Sequence, residues 1–136
     1  MKLFTIFSSL TISILVAVFN VSAIAQEQNP TSISSELTTK CNNYPQQPNI
    51  PNGTKATMDE MVAAQKTIKA YQAEAQTYRS CIDSVMAAWD SQGGTEEEIG
   101  QKKDIAVAWY NRSIADVEEV ANLFNTALRA YKGKPQ

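Results

Sequence analysis

The stretch from Thr57 to Asp90, TMDEMVAAQKTIKAYQAEAQTYRSCIDSVMAAWD, decides the fold. Met61, Ile68, Ala75, Ile82 and Trp89 recur at every seventh position, and Ala64, Tyr71, Tyr78 and Val85 each stand three residues after one of the first four. Apolar residues at a and d of an unbroken heptad lay one narrow seam along a long helix. Thr57 and Glu60 form a T-x-x-E capping box, and Asp59 joins Glu60 in the first turn, where the helix dipole favours negative charge. Gly93-Gly94 follows Gln92 and supplies the left-handed backbone that ends a helix. A narrow seam needs a partner, and the rest of the chain reads as that partner, as a strap, or as an address.

The partner is a second long helix from about Glu96 to Tyr131. Thr95 and Glu98 repeat the capping box, and Glu96-Glu97-Glu98 place three carboxylates on its N-terminus. The dipole accounts for that acidic run, so no metal is assigned to it. The spacing puts Val107, Ile114, Ala121 and Leu128 at a, with Tyr110, Val117, Phe124 and Tyr131 at d. Gly100 and Lys103 hold the equivalent places near the turn and weaken the seam there. Gly133 and Pro135 are stop signals, and Arg129, Lys132 and Lys134 complement the C-terminal dipole. Two helices of matched length, each about 54 Å, joined by so short a loop fold back as an antiparallel pair. Folding at Gly93 sets Ala75 against Tyr110, Ala64 against Phe124 and Met61 against Leu128, small facing large in the first two layers. The expected fold is therefore all-α: a long, coiled-coil-like antiparallel two-helix hairpin over residues 57–132, with a proline-rich extended N-terminal strap.

That strap spans residues 41–56. Pro45, Pro48 and Pro51 are spaced by three, the period of a polyproline II helix, and Asn52-Gly53 provides a turn. Such a segment serves either as a ligand for another domain or as a brace along the protein's own helices, and Cys41 at its head favours the brace. Residues 26–40 are polar and rich in Ser and Thr, which reads as a disordered leader with at most one turn of helix at Ser34–Thr38. Residues 1–25 read as an export signal peptide: Lys2, an apolar run from Leu3 to Val21, and the small-x-small site Ala23-Ile24-Ala25. The rival reading is an uncleaved membrane anchor. Two cysteines in an exported chain most simply form one disulfide, Cys41–Cys81, the alternative being two free thiols. Cys81 lies at g, about 36 Å up the first long helix from Thr57, and a polyproline II path from Cys41 to Thr57 spans up to about 50 Å.

A two-helix hairpin buries barely enough to offset its ordering entropy, so a further contact is expected beside the strap. Met86, Trp109 and Leu123 fall off the seams and form a candidate interface, and pairing into a four-helix bundle is its simplest use.

Composition excludes several functions. The chain has 12 basic and 14 acidic residues, a formal charge of −2, and a mildly acidic surface argues against nucleic acid. It has no histidine, the commonest general base and metal ligand. Ser80 and Ser84 have no activating base, and Asp83 and Asp90 read as solvated-face residues. No enzyme activity, cofactor or metal is expected. Tyr71, Tyr78, Tyr110 and Tyr131 have the heptad spacing of core residues. Asn111 and Asn125 each follow a d-position aromatic and are expected to meet Gln65, Gln72 and Arg79 across the pair. Those contacts fix the register or, on a sharper reading, line a polar groove.

The order Cys41…Pro45-x-x-Pro48-x-Ile50-Pro51-Asn52-Gly53, Glu60-Met61, Lys69-Ala70-Tyr71, Tyr78-x-x-Cys81, Tyr110-Asn111, Phe124-Asn125 and Arg129-Ala130-Tyr131 resembles a family of small exported Gram-negative bacterial helical proteins with no assigned activity. The resemblance covers Cys41 to Lys132. It implies an exported helical protein, periplasmic or secreted, and carries over no catalytic residue. Gly100 departs from the family's pattern and loosens the first turns of the second long helix. The functional expectation is a structural or interaction protein of the bacterial envelope, a disulfide-strapped hairpin that binds itself or another envelope component. The alternative is a small-molecule or glycan binder using the tyrosine and amide side. A membrane role would follow only if the signal segment were retained.

Overall fold

Among the described residues the chain forms three helices: α1 (Pro30–Cys41), α2 (Met58–Gln92) and α3 (Glu96–Lys132). The computed structural model describes residues 30–134, and among these there is no strand. The signal-peptide reading of residues 1–25 and residues 26–29 of the leader lie outside the described residues.

Both capping boxes form. The Thr57 amide donates to Glu60 Oε2 at 2.7 Å and the Glu60 amide donates back to Thr57 Oγ1 at 3.2 Å. Thr95 and Glu98 repeat the exchange at 2.9 and 3.2 Å. Each box satisfies amides that a helix start leaves orphaned. Between the helices Gly93 and Gly94 take φ of 77° and 141°, where a side chain would be strained. α2 and α3 run antiparallel. Lys103 pairs with Asp90 at 2.6 Å beside the turn, Arg79 donates to Ser113 Oγ at 3.3 Å midway, and the Lys134 ammonium reaches the Ala56 carbonyl at the open end.

On α2 the buried residues are Met61, Ala64, Ile68, Tyr71, Ala75, Tyr78, Ile82, Val85 and Trp89, the full a/d set. On α3 the buried residues are Ala106, Ser113, Val120 and Ala127. The seam expected at Val107, Ile114, Ala121 and Leu128 is therefore displaced by one residue, about 100° around the helix. Two causes are visible. α2 presents Tyr71, Tyr78 and Trp89 at the contact, so α3 approaches with small residues. α3 also has a second neighbour: Ile105 and Trp109 turn toward α1 and pack on its core. The layer expected at Ala75–Tyr110 shifts too, with Tyr110 packing on the Tyr78–Ile82–Val85 cluster.

α1 corrects the expectation of a disordered leader from residue 30 onward. Ile33, Leu37 and Cys41 are four apart and all buried, against Tyr78, Ile82, Val85, Trp89 and Ala106. The polar residues between them do not oppose the helix. Thr38 and Thr39 donate to the carbonyls of Ser34 and Ser35 at 2.9 and 2.8 Å, so their hydroxyls are satisfied within it. A helix of 12 residues is marginal in water, and its order comes from this docking.

Asn42 takes a left-handed φ of 60° and Asn43 bends the chain, and from Tyr44 it runs extended toward the open end. Tyr44 packs on Tyr71 and Tyr78, and Ile50 joins the clusters around Met61 and Ile68. Asn52 then closes a turn, its carbonyl accepting from the amides of Lys55 and Ala56 at 3.0 and 2.8 Å. A Cβ on Gly53 would overlap the Ala127 carbonyl, so glycine is what lets this segment touch the α3 backbone.

Candidate binding faces

The turn end is held by one cross-link and one carboxylate. Cys41 closes α1 and comes to disulfide distance of Cys81 on α2, their Cα atoms 5.6 Å apart. Glu36, one turn earlier, accepts from Trp89 Nε1 at 3.0 Å and pairs with Lys40 at 2.9 Å. Lys102 of α3 approaches the same carboxylate at 4.0 Å and lies 5.5 Å from the Trp89 ring centre. Partial burial raises the pKa of Glu36, but the Lys40 and Trp89 hydrogen bonds and the two ammonium charges outweigh it and hold the group below the usual carboxylate range. One charged side chain thus ties α1 to both long helices.

Midway, the Tyr44 and Tyr71 hydroxyls share a hydrogen bond of 2.7 Å, and Tyr44 also donates to the Ser113 carbonyl at 3.3 Å. Burial pushes all three phenols, Tyr44, Tyr71 and Tyr78, above the ordinary tyrosine value, and at Tyr44 the Tyr71 hydrogen bond and the Asp116 charge add to it. They stay protonated across the physiological range and serve as hydrogen-bonding groups rather than as acids or nucleophiles.

The amide register contacts do not assemble as expected. Asn111 and Asn125 are exposed, and no side chain of Gln65, Gln72, Asn111 or Asn125 makes a hydrogen bond among the described residues. Arg79 alone of that set bonds across the pair, to Ser113. The displaced α3 seam explains this, since it turns the asparagines away from α2. Gln65 and Tyr131 line a groove of about 720 Å³ at the open end with Met58, Met61, Val62 and Leu128, while Tyr71 and Tyr78 lie under the extended segment. The tyrosines and amides therefore form no single site.

The interface candidates also separate. Met86 and Trp109 are partly buried against the α1 core, so that helix covers what a bare pair would leave open, and Leu123 stays exposed. The same displacement brings out residues the sequence had placed inside. Val107 is 44% exposed and Ile114 37%, on a stripe about 160° around α3 from Trp109 and Asp116. The heptad pattern gave no sign that these two would face water. Among the described residues no three His, Cys, Asp or Glu side chains group as a metal site, and no helix is long and apolar enough to cross a membrane.

These features describe an all-α protein with two unequal faces. No protein-family model, curated protein or solved structure matches the chain.

Proposed function

We propose that the chain is an exported interaction protein of a Gram-negative envelope, periplasmic or secreted. Its α2–α3 hairpin, strapped through Cys41–Cys81, acts by binding a second copy or another envelope component. The observation that supports this reading is the outward stripe of Val107 and Ile114. Both sit at heptad positions, and β-branched apolar residues on a solvated helix flank add nothing to the monomer, whereas a partner helix would bury them. The two cysteines fit an oxidising compartment, where a covalent brace persists.

The test is sedimentation of the oxidised chain over a wide concentration range, beside the Val107→Lys, Ile114→Lys double variant and with cross-linking in the envelope. The proposal expects concentration-dependent association or a specific cross-linked partner, lost in the double variant at unchanged monomer stability. A monomer at every concentration, with envelope cross-links the double variant leaves untouched, would overturn it.

A further inference from the structure

On the opposite flank of α3, a pocket of about 400 Å³ opens between α1, the extended segment and α3, lined by Asn43, Tyr44, Tyr78, Trp109, Arg112 and Asp116 among others. Trp109, Arg112 and Asp116 stand three and four apart, so one helix face delivers all three. Tyr44 has spent its hydroxyl on Tyr71 and Ser113. The other groups remain uncommitted. The body of Tyr78 is only 5% exposed and its hydroxyl makes no hydrogen bond among the described residues; the side chains of exposed Asn43 and half-buried Trp109 make none either. Arg112 Nε lies 3.9 Å from Asp116 Oδ2, beyond hydrogen-bond reach, so both charged groups keep their bonding capacity. Among the described residues no sealed side-chain polar atom is left without a partner, so these groups open to solvent through the pocket and are available to a ligand there.

We propose that this pocket binds a neutral sugar unit. Each hydroxyl of a sugar both donates and accepts, and the wall offers both: a carboxylate to accept, a guanidinium and a phenol to donate, an amide for either. The C–H face of a pyranose needs a flat apolar surface, which Trp109 provides beside the two tyrosine rings. Arg112 and Asp116 cancel in charge, which disfavours an anion as much as a cation. A quaternary ammonium group would use the aromatic rings and Asp116 but would meet Arg112 as a repulsive neighbour. The inference goes beyond the interaction role and does not depend on it, because Val107 and Ile114 lie on the other flank.

The experiment is a titration of the oxidised, 15N-labelled protein followed at its two indole N–H resonances. The Trp89 indole, bonded to Glu36, is the internal control. The probes are the N-acetylglucosamine disaccharide, maltose and lactose, with choline chloride and inorganic phosphate as ionic controls. At least one sugar shifts the Trp109 resonance saturably at millimolar concentration and leaves Trp89 in place. Which sugar does so separates a cell-wall glycan from a free sugar as the source. Asp116→Asn and Tyr78→Phe each weaken that binding about tenfold, as loss of one good hydrogen bond implies, with unchanged thermal unfolding. Arg112→Gln, at an 82% exposed side chain, does the same with no risk to the core. No saturable shift with any of the three sugars overturns the proposal. So does an equal response to choline or phosphate, or undiminished binding by Asp116→Asn.

Discussion

At the turn end α2 and α3 share their core with a third helix, whose Ile33 and Leu37 are sealed against Tyr78, Ile82 and Trp89 and whose last residue reaches Cys81. At the open end the third layer is a single extended chain, docked through Ile50 and the bare backbone of Gly53, and a groove remains between Met58, Val62 and Leu128. The seam of α2 has the same heptad pattern at both ends, so the difference comes from what lies across it. A helix offers three apolar side chains in two turns and needs a covalent or ionic anchor to stay. A proline-spaced segment is already extended and loses less entropy on docking, but it covers less surface. The molecule is closed and braced at one end, narrow and open at the other.

The sharpest way to break this contrast is to remove the cross-link. Replacing Cys41 and Cys81 together by Ser releases a loop of sequence separation 40, which in the loop-entropy account is worth about 4 kcal/mol. Urea unfolding should show a loss of that order, with the turn end losing protection first. Next comes Leu37→Ala, which leaves a cavity under α1 and should cost about 3 kcal/mol by the same measurement. At the open end Gly53→Ala must push the extended segment off the Ala127 carbonyl. It should cost about 1–3 kcal/mol, leave the turn end intact, and show as faster exchange confined to residues around 50–56.

The smallest effect is that of pH, and its sign differs with the group. Glu36 is held below its ordinary value of 4.5, so its contribution is complete above that pH and fades as pH falls through the folded value. Acid should therefore loosen α1, with Trp89 fluorescence as the readout. Tyr44, Tyr71 and Tyr78 are held above 10.0, so their contribution is intact below that pH and is lost as alkali ionises the unfolded phenols. Alkaline unfolding should begin near the middle of the molecule rather than at α1.

How far the sequence foretold this depends on the size of the residues involved. α2 was legible because large apolar side chains at strict spacing leave one choice of face, and both helix starts were legible because a capping box is local. The α3 face was not. Its contact line is Ala106, Ser113 and Ala127 beside Val120, and small residues carry little hydropathy signal. Ser113 reads as polar, yet its hydroxyl donates to the Tyr110 carbonyl at 2.8 Å, so it enters the core already satisfied. α1 was missed because Ser and Thr outnumber its apolar residues. The spacing of Ile33, Leu37 and Cys41 by four was the available signal, and it is short enough to pass as chance. The pocket depended on both misses, since Trp109 and Asp116 reach the extended segment only after α3 has turned.

The most direct test of the account is peptide-resolved hydrogen exchange of the same chain, oxidised and then reduced. If the third layer is a helix anchored at Cys41, reduction should collapse protection over residues 33–41. The amides of α2 around Met61–Ala75 and of α3 around Val117–Ala127 should keep theirs. Protection lost evenly along all three helices, or residues 33–41 exchanging freely even when oxidised, would contradict it.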